Sequence, residues 1–187
     1  MRGEAMGRLR AETRVEHERL ETKVDIPSRL ASREAYAALV SRFYGYYVAF
    51  EPTLLAGLPA ELGLDPARRR HLPKLKRDLQ ALDILAEGLP VTDDLPKLPH
   101  PAEAIGALYV IEGSTLGGQI ISRMLRDSLG ICPECGGAFF SGYGEENGAM
   151  WRAFCEAVEA WAKEHGDVEK MVMGARKTFG AMEAWLV

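Results

Sequence analysis

The chain has 187 residues with 23 Lys+Arg against 27 Asp+Glu, a net charge of −4. That net acidic balance argues against a nucleic-acid binder, whose affinity comes mainly from clustered positive charge. Its 47% hydrophobic content is that of a globular protein with a real core, and a chain of this length is expected to form one domain over residues 1–187.

The longest apolar run, Ala104 to Ile111, is closed off by Glu103 and Glu112, well short of the ~20 residues a bilayer span needs, so no membrane segment is expected. Three cysteines make no disulfide framework, and the opening MRGEAMGRLRAE lacks the apolar centre of a signal peptide. A cytoplasmic location is the expectation.

Met6, Leu9, Thr13, His17, Leu20 and Val24 recur at steps of three and four, which predicts a first helix with His17 on its inward stripe. Ser32 is a fitting N-cap for a second helix, with Tyr36, Leu39, Val40, Phe43, Tyr47 and Phe50 inside until Pro52 disturbs it. Asp65-Pro66 opens a third, which Pro73 kinks or delays, and whose outer face carries Arg68, Arg69, Arg70, Lys74, Lys76 and Arg77. Pro101 begins a fourth that runs to Gly130. Glu145 to His165 gives a fifth, and Asp167 caps a sixth with Met171, Ala175, Phe179, Met182 and Leu186 inside. No alternating β-branched run competes, so the fold class is all-α.

Two segments carry more than packing. The fourth helix contains Glu112-Gly113-Ser114-Thr-Leu-Gly117-Gly118-Gln119, three glycines each costing roughly 1 kcal/mol relative to alanine. Gly113 and Gly117 clear one face and admit a close neighbour, which is either a ligand or another helix. In the first helix, Glu21 follows His17 by four residues. A carboxylate there can accept from Nδ1–H and leave Nε2 as a metal ligand; an ordinary buried histidine bonded to its neighbour has the same spacing.

Leu9-Arg10…Thr13…His17…Leu20-Glu21 together with Glu112-Gly-Ser-Thr-Leu-Gly-Gly-Gln119 resembles the proximal and distal helices of the heme oxygenases, most of all the bacterial, biliverdin-producing members. The likeness continues through Phe139-Phe140…Tyr143-Gly144 to Thr178-Phe179…Trp185-Leu186. The resemblance implies a multihelical fold that sandwiches heme, cofactor and substrate at once, between the first and fourth helices. Heme is then cleaved with O2 and external electrons to biliverdin, CO and ferrous iron.

By the same resemblance, His17 holds the iron and Gly113, Ser114 and Gly117 form the catalytic distal wall. Thr13, Glu21, Gly118 and Phe179 then lie in the cofactor site. Arg10, Tyr109 and Arg152 are the candidates for the heme propionates. Animal members carry an acid where this chain has Ser114, so distal protons must be organised by the Ser114 hydroxyl, glycine carbonyls or other polar groups. The implied electron donor is a ferredoxin, a flavodoxin or a reductase, for which the basic run on the third helix offers a surface. A bilin-accepting photoreceptor is a further implied partner.

Two other functions stay open, a non-catalytic heme carrier or sensor on the same fold and a thiaminase-like enzyme. The latter needs a cysteine nucleophile, and neither Cys135 nor Cys155 has a histidine beside it in sequence. Cys132-Pro-Glu-Cys135 resembles half a zinc site and reads as a surface loop with free thiols, Cys132 being a rival axial ligand. A di-iron bundle needs Glu-x-x-His pairs. Arg14, Arg68, Lys97 and Ala162 stand three before the four histidines, which rules it out.

Overall fold

The computed structural model describes residues 3–187. The periodicity that predicts one first helix is distributed over α1 (Glu4–Glu12) and α2 (Arg14–Val24), broken at Thr13 with φ −112° and ψ 7°. The buried Thr13 hydroxyl donates to the Leu9 carbonyl at 2.7 Å, a bond to the preceding turn of the kind that bends helices. Gly3 has no side chain to cap α1; the Glu159 carboxylate does so instead, accepting from Ala5 N at 3.3 Å and Met6 N at 2.7 Å.

A single turn, α3 (Ile26–Arg29), leads to α4 (Arg33–Ala56), where the Ser32 hydroxyl accepts from Ala35 N as predicted. Pro52 lies inside α4 without ending it. Asp65-Pro66 begins only a 3-10 turn, Pro66–Arg69, and α5 (Leu72–Ala81) starts afresh with Pro73 in its first turn. α6 (Pro101–Leu129) stops at Gly130, which takes the left-handed φ of +66° that suits a helix terminus.

The short α7 (Ala138–Ser141) has no periodic signal. α8 (Asn147–His165) begins two residues later than predicted, after a turn at Gly144–Glu146, and α9 (Val168–Leu186) follows. Asp167 precedes α9 but makes no side-chain cap; its carboxylate pairs with Lys170 at 3.0 Å. The five expected apolar positions of α9 are all buried.

The fold is all-α, with no strand among the described residues. Its spine is the crossing of α6 and α9, where Gly106 faces the Met171 carbonyl and Gly174 faces the Glu103 carbonyl, so the two backbones touch. α1 and α2 lie on α9, while α4, α5 and α7 pack together on the other side of α6. α6 is long and apolar enough to cross a membrane by composition, yet more than half of that stretch is buried inside the fold and its Glu112 is sealed from solvent. It is a core helix.

Candidate functional site

α2 and α6 both rest on α9, and the half-buried Tyr109 of α6 lies near Thr13 and Arg10. Burial pushes the Tyr109 phenol up, partly offset by the polar Thr13 side chain and by the Arg10 charge. One turn beyond this junction stand His17 on α2 and Gly113 on α6. Positions 109, 113, 116 and 120 share the side of α6 that Tyr109 presents to Thr13. Along that side Leu116 is 39% and Ile120 57% exposed, so α6 carries an uncovered apolar face there.

The glycines of α6 divide cleanly. A Cβ on Gly117 would meet nothing within 4 Å, and one on Gly113 only the Trp151 ring at 3.9 Å, ordinary van der Waals contact. Helix packing therefore requires neither. Gly118 is different, since a Cβ there would collide with the Phe140 carbonyl, and its bareness is explained by α7. It is buried away from the groove, not in it.

His17 departs from expectation. Its side chain is 53% exposed, with the ring edge-on to the buried Phe179 at 5.8 Å. The nitrogen nearer Glu21 is Nε2, not Nδ1, and at 3.5 Å it is beyond a good hydrogen bond. The first-helix stripe is wide enough to bury Leu9, Thr13 and Val24 while leaving His17 at its edge. Arg10 and Arg152 are exposed, on α1 and α8 respectively.

Behind α6 lies a buried polar cluster that no sequence pattern announces. Arg69 Nη1 approaches Glu112 Oε2 at 2.6 Å, with side chains 3% and 0% exposed. Tyr143 donates its hydroxyl to Glu112 Oε1 at 2.8 Å and lies 3.2 Å from His71 Nε2. Since Tyr143 has one proton and gives it to Glu112, His71 serves as donor through Nε2–H. Burial, with Lys74 and Arg69 nearby, holds His71 neutral, its pKa lowered to about 3. Glu51 accepts from His71 N at 2.5 Å and Leu72 N at 3.0 Å. The Ser114 hydroxyl donates to the Ile111 carbonyl at 2.7 Å and faces the buried Tyr47 phenol.

Arg69 thus leaves the predicted basic face, and Lys74 is half-buried with its ammonium 4.4 Å from the Tyr143 ring centroid. Arg68, Arg70, Lys76 and Arg77 remain exposed. Cys132 follows the end of α6, about 24 Å along the helix from Gly113, too far to supply a ligand in the groove. No cluster of three metal-ligating side chains occurs among the described residues.

The chemistry of the groove fits heme. α2 presents an accessible imidazole and α6 a stretch of backbone left bare at Gly113 and Gly117, which a flat macrocycle can approach closely, with the apolar Leu116 and Ile120 exposed beside it. The Tyr109 phenol and the Arg10 guanidinium lie near each other, where they suit carboxylates.

A family model described as heme oxygenase matches residues 4–187. A heme oxygenase of Xanthomonas campestris pv. campestris (strain 8004) is 33% identical over 149 residues, 78% of this chain and 85% of that protein. The NO- and CO-bound heme oxygenase of Neisseria meningitidis superposes with a TM-score of 0.78 at 22% identity, covering 96% of this chain and 88% of that one. Heme oxygenase 2 of Chlamydomonas reinhardtii, solved without heme, gives 0.69 at 19%, covering 97% and 95%.

Proposed function

The chain belongs to the heme oxygenase family, an enzyme that oxidatively cleaves heme to biliverdin, and from that premise we propose that its heme lies in the groove between α2 and α6. The observation that carries this placement is the pair Gly113 and Gly117, whose missing side chains no protein neighbour demands. When bound, heme supplies the iron at which O2 is reduced and the macrocycle that is cut.

In this reading the His17 imidazole holds the iron, a half-turn of its exposed ring presenting Nε2, while the Phe179 edge limits its tilt. Glu21 is close enough to orient the ring once the ligand nitrogen is engaged. The bare backbone at Gly113 and Gly117 would let the heme lie close against α6. Thr13 positions Tyr109, which with Arg10 takes the propionates; Arg152 is a third candidate. Ser114, its own hydrogen engaged by Ile111, offers lone pairs that order water above the groove.

The exposed Arg68, Arg70, Lys76 and Arg77 are the surface we assign to an acidic ferredoxin, flavodoxin or reductase domain; raised salt should then slow electron delivery. A cytoplasmic location, a single functional domain and a bilin-accepting photoreceptor downstream complete the reading. The test is a titration of the apoprotein with hemin. One equivalent should give a histidine-ligated ferric spectrum that ascorbate in air converts to biliverdin absorption. Binding without bilin would instead mark a carrier or sensor, and a spectrum unchanged in His17→Ala would move the ligand elsewhere.

A further inference from the structure

The Cys132-Pro133-Glu134-Cys135 turn plays no part in the groove, and its geometry is specific. The Cys135 N–H donates to the Cys132 carbonyl at 3.0 Å, closing a turn of one 3-10 repeat. Pro133 presets its first dihedral. The Cys132 N–H donates to the Cys135 sulfur at 2.7 Å, and the Cys135 N–H in return reaches the Cys132 sulfur. The Cys135 thiol donates to the Gly130 carbonyl at 3.8 Å. The Cys135 sulfur is thereby folded back onto Cys132, and both cysteines are partly exposed.

Residues i and i+3 of such a turn have Cα atoms closer than ~7 Å, overlapping the ~4.4–6.8 Å range that a disulfide spans. We infer that Cys132 and Cys135 form a reversible dithiol–disulfide site that exchanges with a small-molecule disulfide of the glutathione class. The exchange runs in two displacements. One cysteine, as thiolate, attacks a sulfur of the external disulfide, forming a mixed disulfide and expelling one thiol. The other then attacks the protein sulfur of that mixed bond and expels the second. Two electrons pass from the cysteine pair to the external disulfide, and both protons leave on the two released thiols.

The remaining cysteine, Cys155, lies on α8 and takes no part. The turn is tied into the fold, since Gly137 N donates to Cys132 O at 2.9 Å, and the next two amides, Ala138 N and Phe139 N, donate to Asp78 at 2.7 Å each. Oxidation therefore acts on the joint between α6 and α7, independently of where heme binds.

The test equilibrates the reduced full-length protein in buffers of varied reduced to oxidised glutathione, quenches with acid, and alkylates what remains. Intact mass should fall by two hydrogens, peptide mapping should place one disulfide between Cys132 and Cys135, and Cys155 should stay alkylated. Cys155→Ser should oxidise in the same way, while Cys132→Ser should end as a glutathione adduct on Cys135 alone. Separate glutathione adducts on both cysteines of the wild type, a bond to Cys155, or full alkylation in oxidised glutathione alone would each overturn the inference. Circular dichroism of each variant at the helical minimum separates failed folding from failed chemistry.

Discussion

Arg69 Nη1 stands 2.6 Å from Glu112 Oε2 with both side chains sealed from solvent, one residue before the glycine that opens the groove. The contact is electrostatic more than a linear hydrogen bond, because neither atom meets a hydrogen-bond geometry with the other. Burial raises Glu112 above the usual carboxylate range, and the Arg69 charge only partly restores it.

Arg69→Met should therefore leave an unpaired buried carboxylate and cost about 3–5 kcal/mol at neutral pH. A carboxyl whose folded pKa is raised favours the fold below its unfolded pKa and loses that contribution as pH rises through the folded value. Removing Arg69 raises Glu112 further, so the deficit should shrink as pH falls toward 4.5. Urea unfolding of both proteins across this range is the measurement; a deficit independent of pH would mean that lost packing of the Arg69 guanidinium, 5.9 Å from the Phe154 ring centroid, dominates.

The two neighbouring glycines of α6 should respond oppositely. Gly117→Ala meets no neighbour and gains helix propensity, so the apoprotein should be stabilised by up to about 1 kcal/mol while hemin affinity falls. Gly118→Ala drives a methyl into the Phe140 carbonyl and should destabilise the apoprotein by about 1–3 kcal/mol. Thermal melts without hemin, paired with hemin titrations, separate the two effects.

His17→Ala should leave the fold intact, within about 0.5 kcal/mol, because the side chain is 53% exposed. Turnover should be lost and the ferric spectrum altered, with added imidazole partly restoring it. A wild-type spectrum and rate in this variant would remove His17 from the site.

Arg10→Ala combined with Tyr109→Phe should loosen hemin binding and broaden the mixture of biliverdin isomers. In-plane rotation of the macrocycle decides which carbon is cut. Each charge-assisted bond to a propionate is worth about 1.5–3 kcal/mol, and 1.4 kcal/mol already changes a ratio tenfold. Chromatography of the extracted bilins is the readout, and an unchanged profile would point to Arg152.

The helices of this protein are legible in its sequence because their cause is local. Ser32 caps α4, Gly130 ends α6, and the step of three and four from Met171 to Leu186 buries one side of α9. The His17 and Gly113–Gly117 motifs, on which the proposed heme site rests, stand out in the sequence for a similar reason, since an odd residue in a regular helix departs from its propensity. What the sequence left undecided depends on what each side chain meets. Gly117 and Gly118 are equal in the sequence, and only the position of α7 makes one a packing glycine and the other a bare wall. His17 lies on an apolar stripe, yet α9 covers only part of it, so the imidazole is exposed. Arg69 sits in a run of cations that reads as a solvated face, and the 3-10 turn before α5 rotates it inward onto Glu112. Such pairings join residues 43 positions apart, and no local periodicity encodes a partner at that distance.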